Sequence, residues 1–233
     1  MEKKLFLISN SVSYKQGYLS HCENELKKFL KDVKNIIFIP YALKNMDGYT
    51  KSAEDKFSSF NINLKSIHKI NNKLETIKKA QAIFIGGGNT FRLLDKLYQY
   101  DLIDVIRKNV LKGKLLYVGA SAGSNMACPT IKTTNDMPIV QPPSFSALNL
   151  IPFQINPHYI DPDINSKHMG ETREKRINEF HEENKIPVVG LREGSWLHIE
   201  GNTIKLQGKT GAVLFEKDKI KKELLPGEKI LFT

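Results

Sequence analysis

Short apolar runs alternate with amphipathic stretches along the first half of the chain. Runs of about four to eight apolar residues, separated by segments of helical period, are typical of parallel strands joined by helices. We predict strands at these runs: residues 5–8, 35–42, 63–70, 82–88 and 114–120. Helices are predicted between them: residues 18–33, 49–60, 73–81 and 89–113, the last long enough for two. The pattern predicts an α/β fold with a mainly parallel sheet flanked by helices on both faces.

The pattern loosens after Cys128. Residues 130–150 are rich in Thr, Asn and Pro, which indicates a long ordered loop, and long loops in small domains are often functional. A strand over 151–159, a helix over 170–185 and a strand over 186–191 are predicted next.

The last part of the chain is predicted to form a C-terminal β-hairpin extension. The hairpin covers residues 195–208, with its turn at Gly201 and Asn202, and a final strand follows over 211–218. Neither an internal repeat nor a linker-like segment interrupts the pattern, so we expect residues 1–233 to form a single domain.

Composition limits the possible cellular locations, cofactors and partners of the protein. The chain has 233 residues, 40% of them hydrophobic, and no apolar run reaches the roughly 18 residues of a membrane span. The apolar run at 5–8 is also shorter than the roughly 7–15 residues of a signal-peptide core. Cys22 and Cys128 form neither a disulfide framework nor a metal-ligand pair. We therefore expect a cytoplasmic protein with no metal or organic cofactor and no membrane partner.

The formal net charge of +10 raises the question of nucleic-acid binding. The lysines are scattered along the chain, and no basic stripe interleaved with aromatic residues occurs. This distribution indicates a lysine-rich, solvated surface, and we expect no nucleic-acid partner.

Candidate chemistry begins at Ser121, in the sequence GASAG at residues 119–123. This matches the G-x-S-x-G elbow, in which a nucleophilic serine lies on a sharp strand-to-helix turn with small residues two positions away. An apolar run precedes the pattern and a helix-compatible segment follows it, as the elbow requires. The alternative is a helix-capping serine in a tight turn.

A nucleophilic serine needs a base and an orienting acid. His158 ends the 151–159 strand, where the carboxyl ends of parallel strands meet, and His168 in the following loop is a second candidate. Glu193 directly follows the 186–191 strand and would share this edge with His158. Asp136, in the long loop, would instead give the order Ser, acid, His of the α/β-hydrolases. We prefer His158 and Glu193 but leave Asp136 open.

An oxyanion hole needs backbone N–H donors. Ala122, after the serine, offers one, and the glycine run at 86–88 with Asn89 offers others at a strand end. Phe91 stands where a dinucleotide-binding G-x-G-x-x-G sequence requires glycine. An anion-binding turn that faces the serine is therefore favoured over a dinucleotide loop.

These motifs together resemble the peptidase E (α-aspartyl dipeptidase) family. The resemblance covers nearly the whole chain and rests on these segments: GGGNTF (86–91), GASAGSNMACPTIKTTNDMPIV (119–140), INPHY (155–159), GETREKRI (170–177) and EGSW (193–196). It implies a serine peptidase with a fold similar to class I glutamine amidotransferases, a flavodoxin-like arrangement. It also implies cleavage of N-terminal aspartate from Asp-X dipeptides and short peptides.

The resemblance implies a role for each matched residue. Ser121 is the nucleophile and His158 the base, while both Glu193 and Asp136 match positions described as the acid. The oxyanion-hole N–H groups belong to Gly88 and Ala122.

Substrate recognition follows from the same matches. Arg173 is the residue implied to hold the aspartate carboxylate, since a guanidinium can bind both oxygens of a planar carboxylate. Glu171 is a candidate acceptor for the substrate's α-amino group, as is whichever of Asp136 and Glu193 lies outside the triad. Asn89 is a further candidate substrate contact.

Three rival functions are weighed against this one. A serine peptidase of the same fold acting on another acidic substrate, as cyanophycinase does, is the nearest. A non-catalytic ligand-binding member has no use for an elbow, a base and its orienting acid together. A glutamine amidotransferase uses a cysteine, and Cys128 lies seven residues past the elbow serine. The expected partner is a small peptide, and the chain is expected to be a monomer or homodimer.

Overall fold

Five adjacent parallel strands make up most of a seven-stranded sheet, here called the main sheet. The computed structural model describes residues 2–163, 165, 167 and 169–232. The parallel strands are β1 (Lys4–Ile8), β2 (Asn35–Ile39), β3 (Asn63–Ser66), β4 (Ala82–Ile85) and β5 (Leu116–Ala120). They lie in the order β3-β2-β4-β5-β1. This confirms the predicted α/β fold with a mainly parallel sheet.

Helices cover both faces of the main sheet, as predicted. On one face, α1 (Glu23–Phe29) and α2 (Met46–Ser58) pack on an apolar cluster that includes Phe6, Phe38 and Phe84. On the other face, a second apolar cluster is covered by α3 (Lys73–Lys79), α4 (Thr90–Gln99) and α5 (Leu102–Leu111). Because side chains alternate along a strand, Phe6 and Leu7 of β1 belong to opposite faces.

The predicted helix over 89–113 is two helices. Asp101 lies between them with a φ of 54°. This left-handed conformation ends α4 and redirects the chain into α5, since it does not fit a right-handed helix.

A second, four-stranded sheet was not predicted as a separate layer. Its strands are β6 (Gln154–Tyr159), β7 (Val188–Arg192), β10 (Ala212–Phe215) and β11 (Lys222–Leu224), in the order β11-β10-β7-β6. Strands β6 and β7 are parallel, so their carboxyl ends lie at one edge. The predicted hairpin, β8 (Ser195–Glu200) and β9 (Thr203–Gly208), extends the main sheet through antiparallel pairing of β8 with β1.

One apolar cluster connects the two sheets. It includes Leu7 of the main sheet, Ile155 and Val189 of the second sheet, and the fully buried Phe153. The rings of Phe153 and Phe232 are stacked, with their centroids 4.7 Å apart. A shared core of this kind supports the predicted single domain, which stays a prediction. No helix in the described part of the chain is long and apolar enough to cross a membrane.

Candidate active site

Ser121 lies on a strained turn between β5 and α6 (Ala122–Ala127). Its φ of 52° and ψ of −111° place a residue with a side chain in a sparsely populated backbone region. A Cβ on Gly119 would lie 2.5 Å from the carbonyl oxygen of Gly123, and one on Gly123 would lie 2.1 Å from that of Ile85. The elbow therefore closes only with glycine at both positions, as its sequence pattern predicts.

His158 lies on the second sheet, at an irregularity of β6. The β6–β7 register shifts between Pro157 and Tyr159, and His158 has a φ of 52°. Such a bulge re-aims a side chain, and here the imidazole meets the elbow serine: His158 Nε2 lies 2.9 Å from Ser121 Oγ. The loop at 130–150 supports this strand, since Asn135 donates to the carbonyl oxygen of Pro157.

The other imidazole nitrogen contacts Glu193 and not Asp136. His158 Nδ1 lies 2.5 Å from Glu193 Oε1. Strand β7 ends one residue before Glu193, so both side chains come from the shared carboxyl-end edge of β6 and β7. The side chain of Glu193 is 53% exposed, and its main chain is held by Thr210, whose Oγ1 donates to the Glu193 carbonyl oxygen.

Asp136 lies apart from the His158–Glu193 pair. Its Oδ2 accepts hydrogen bonds from Thr90 N at 2.7 Å, Thr90 Oγ1 at 2.6 Å and Thr134 Oγ1 at 3.2 Å. It thus sits at the N-terminus of α4, where free N–H groups and the helix dipole favour an anion. Asp136, Ser121 and His158 line one cavity of about 510 Å³.

The glycine run packs directly against the serine. A Cβ on Gly87 would lie 3.1 Å from Ser121 Cβ. The Gly87 N–H is already used, because it donates to the Tyr49 hydroxyl at 2.7 Å. Burial raises the pKa of the Tyr49 phenol, which keeps this acceptor neutral. Sequence reasoning missed Tyr49, which lies in α2 and gives no local signal of this contact.

Two N–H groups remain for an oxyanion. Gly88 has a φ of 128°, which favours glycine, and its N–H has no hydrogen-bond partner in the part of the chain that the structure describes. Ala122 opens α6, and first-turn N–H groups have no partner within their own helix. Asn89, by contrast, is engaged: its Oδ1 caps α4 by accepting from Arg92 N, and its Nδ2 donates to the carbonyl oxygen of Met137.

The two charged candidates near α7 (Arg173–Glu183) differ in their contacts. Glu171 is exposed and pairs with Lys175 at 3.7 Å and Arg176 at 3.6 Å. Arg173 is half-buried and has no ion pair within the described ranges. Burial and then the Arg176 cation lower the pKa of Arg173, while the Asp136 carboxylate raises it. Within the described chain Arg173 is therefore an unpaired cation, and it lines a second cavity of about 480 Å³ with Glu171 and Arg176, separate from the cavity lined by Ser121.

The remaining sequence candidates add little. His168 lies outside the described residues. Cys128 is fully buried beneath the elbow, and burial raises the pKa of its thiol to about 12. No cluster of three or more His, Cys, Asp or Glu side chains suited to a metal ion occurs among the described residues.

The fold and the site together define a class. An elbow serine hydrogen-bonded to a histidine, which is itself hydrogen-bonded to a carboxylate, is the arrangement by which serine hydrolases make an acyl-enzyme. Comparison with known proteins gives the family. The family model of Peptidase family S51 matches residues 5–207, and the chain belongs to this family.

Relatives cover nearly the same length. A Streptomyces coelicolor protein named Peptidase E is 48% identical over 223 residues, which is 96% of this chain and 91% of that protein. A Drosophila melanogaster protein named "probable alpha-aspartyl dipeptidase" is 45% identical over 226 residues, 96% and 94% of the two chains. The resemblance drawn from the motifs is thereby confirmed.

A solved structure shares the fold. The crystal structure of a peptidase from an acI-B1 Actinobacterium has a TM-score of 0.74 and 18% sequence identity, and it covers 100% of this chain and 98% of that one.

The buried thiols give a test of the chemistry. Burial raises the pKa of Cys22, like that of Cys128, to about 12, so only about one thiol in 10⁴ is ionised at pH 8. We expect iodoacetamide at pH 8 to leave both cysteines unmodified in the folded protein, and mass spectrometry of the treated protein checks this. The matched control is the guanidinium-unfolded chain, in which both should react. Rapid alkylation of Cys128 in the folded protein would contradict this assignment and reopen a thiol mechanism.

Proposed function

We propose that this chain is a serine exopeptidase that cleaves the Asp-X bond of dipeptides and short peptides with N-terminal aspartate. The observation that carries the proposal is the hydrogen-bonded chain from Ser121 through His158 to Glu193, with distances of 2.9 and 2.5 Å. The printed names of the relatives, Peptidase E and alpha-aspartyl dipeptidase, support the substrate class.

Acylation begins at Ser121. Its Oγ attacks the carbonyl carbon of the Asp-X bond while His158 Nε2 accepts the hydroxyl proton. Glu193 accepts a hydrogen bond from the Nδ1–H group of the imidazole, which fixes the tautomer and stabilises the imidazolium that forms. The carbonyl oxygen becomes an oxyanion and receives the N–H groups of Gly88 and Ala122.

Release of the leaving residue follows. The C–N bond breaks, His158 gives its proton to the departing amine, and aspartate stays as an ester on Ser121. Water then attacks this ester, with His158 accepting one proton of the water and returning it to Ser121 Oγ as aspartate leaves. The cycle consumes one water and restores all three side chains.

Two charges account for the N-terminal aspartate. Arg173, which is unpaired within the described chain and whose pKa responds to the Asp136 carboxylate, is suited to the β-carboxylate of the substrate. Asp136 is suited to the α-amino group, because its side chain lines the cavity of Ser121 and its three described hydrogen bonds fall on Oδ2, which leaves Oδ1 as an acceptor. Glu171 is less suited, since Lys175 and Arg176 already neutralise it on the surface. The proposed partner is thus a small peptide, and the two buried free thiols support the proposed cytoplasmic location.

A dipeptide panel tests the function. We expect release of free amino acids from Asp-Leu, and turnover of Asn-Leu, Glu-Leu, isoAsp-Leu and Ala-Leu at least about 100-fold slower. Asn-Leu and Ala-Leu lack the charge for which the site is built. Glu-Leu keeps the carboxylate one methylene further from the scissile carbonyl, and isoAsp-Leu moves the amino group relative to both, so neither fits the same geometry. Ser121→Ala is expected to abolish turnover. Hydrolysis of Ala-Leu at the rate of Asp-Leu would refute the specificity, and full activity of Ser121→Ala would refute the serine mechanism.

Arg173 has a matched control one helical turn away. Arg173→Lys is expected to lower kcat/KM for Asp-Leu by about 10- to 100-fold, because lysine keeps the charge but loses the two-pronged grip on a carboxylate. Arg176→Lys, on the same helix and paired with Glu171, is expected to change kcat/KM by less than about twofold. Equal effects of the two substitutions would remove Arg173 from the binding site.

Kinetic measurements can distinguish the roles of the Glu193 and Asp136 carboxylates. Glu193→Gln is expected to lower kcat by about 10- to 1000-fold with a smaller change in KM, because it removes the charge that stabilises the imidazolium. Asp136→Asn is expected to raise KM by about tenfold or more with a smaller loss of kcat, since the α-amino group loses its counter-charge. The opposite split, measured with Asp-Leu, would make Asp136 the orienting acid.

A further inference from the structure

Three consecutive residues at the end of β1 and just beyond it, Ile8, Ser9 and Asn10, each contact a different part of the catalytic chain. The Ile8 carbonyl oxygen accepts from Ser121 N at 2.9 Å. Ser9 Oγ accepts from His158 N at 2.9 Å. Asn10 Oδ1 accepts from Gly194 N, the residue after Glu193, at 2.8 Å. One short segment of the main sheet therefore contacts all three components.

Ser9 is the centre of this arrangement. Its side chain is fully buried, and its hydroxyl donates to the carbonyl oxygen of Leu191 in β7 at 2.8 Å while it accepts from His158 in β6. A serine hydroxyl has one hydrogen to donate, and here this hydrogen is directed to β7. The Ser9 side chain thus joins the main sheet to both strands that carry the base and the acid.

His158 needs such a contact more than its neighbours do. At a bulge, the extra residue loses its partner in the strand ladder, and a buried N–H without an acceptor is costly. The φ of 52° at His158 adds backbone strain that the surroundings must maintain. Ser9 Oγ supplies the acceptor and at the same time fixes where the strained backbone sits relative to β1.

We propose that Ser9 is a positioning residue for catalysis, with Asn10 in the same role toward Glu193. Neither side chain has a described contact with the imidazole or carboxylate atoms of the triad; each acts through the backbone of the residue that it holds. The inference rests on the proposed function of Ser121, His158 and Glu193. Without the Ser9 hydroxyl, the base is expected to stay close to Ser121 but to spend less time at the distance and angle for proton transfer, which loosely held sites lose first.

Ser9→Ala tests the proposal with a minimal change in volume. We expect kcat for Asp-Leu to fall by about 10- to 100-fold with KM within about twofold, because substrate contacts are intact and proton transfer is not. Ser9→Thr keeps the hydroxyl and is expected to recover at least about a third of wild-type kcat. The control is Ser66→Ala, which removes the buried hydroxyl of the last residue of the edge strand β3; this hydroxyl is hydrogen-bonded to His68 Nδ1.

A fluorophosphonate probe provides a readout that needs no aspartyl peptide. Ser121 Oγ forms a bond to phosphorus, the P–F bond breaks, fluoride leaves, and His158 accepts the serine proton. We expect the labelling rate of Ser9→Ala to fall by about the same factor as kcat, and that of Ser66→Ala to match wild type. If wild type is labelled at Ser121 but does not cleave Asp-Leu, the proposed substrate fails while the labelling rates still decide the role of Ser9.

Circular dichroism shows whether the Ser9→Ala protein is folded. If it is folded, and its labelling rate and kcat lie within about twofold of those of Ser66→Ala, the proposal is overturned. If Ser9→Ala does not fold, Asn10→Ala decides. A fall in labelling of about tenfold or more in folded Asn10→Ala supports the positioning role of this segment, and an unchanged rate overturns it.

Discussion

The hydrogen bond between Ser121 and His158 joins two sheets, and the rest of the site depends on it. The serine belongs to the main sheet, through β5, and the histidine to the second sheet, through β6. A hydrogen bond of 2.9 Å between side chains on separate sheets requires the two sheets to be held at a fixed position relative to each other. The shared apolar core provides the gross alignment, and polar contacts from the end of β1 provide the fine adjustment.

Two of the proposed catalytic residues and one proposed oxyanion-hole glycine have unusual backbone conformations. Ser121 and His158 both have φ of 52°, and Gly88 has φ of 128°. Each unusual conformation has a local support: glycines that allow close approach at the elbow, a buried serine hydroxyl behind the histidine, and the Tyr49 phenol beside the glycine run. Strain of this kind persists only when several contacts determine it together.

Local patterns in the sequence were sufficient to predict the strands and helices of the first half of the fold and the serine elbow. Apolar runs mark β1, β2, β4 and β5 because those strands are buried on both faces. The second sheet was missed because an apolar run shows that a strand is buried but not which strands pair with it. Strand β11 (sequence KEL) has no apolar run at all. Ser9, Asn10 and Tyr49 act on partners 149, 184 and 38 residues away, and such separations leave no periodic signal.

The half-exposed position of Glu193 has a consequence for how the acid works. Its carboxylate is open to bulk water, where the dielectric constant is high and dissolved ions screen charge. The attraction between carboxylate and imidazolium is therefore weaker than it would be in a dry interior. In the proposed mechanism, aiming the imidazole is therefore a contribution of the glutamate beside its negative charge, and the anchoring of its backbone matters for catalysis as well.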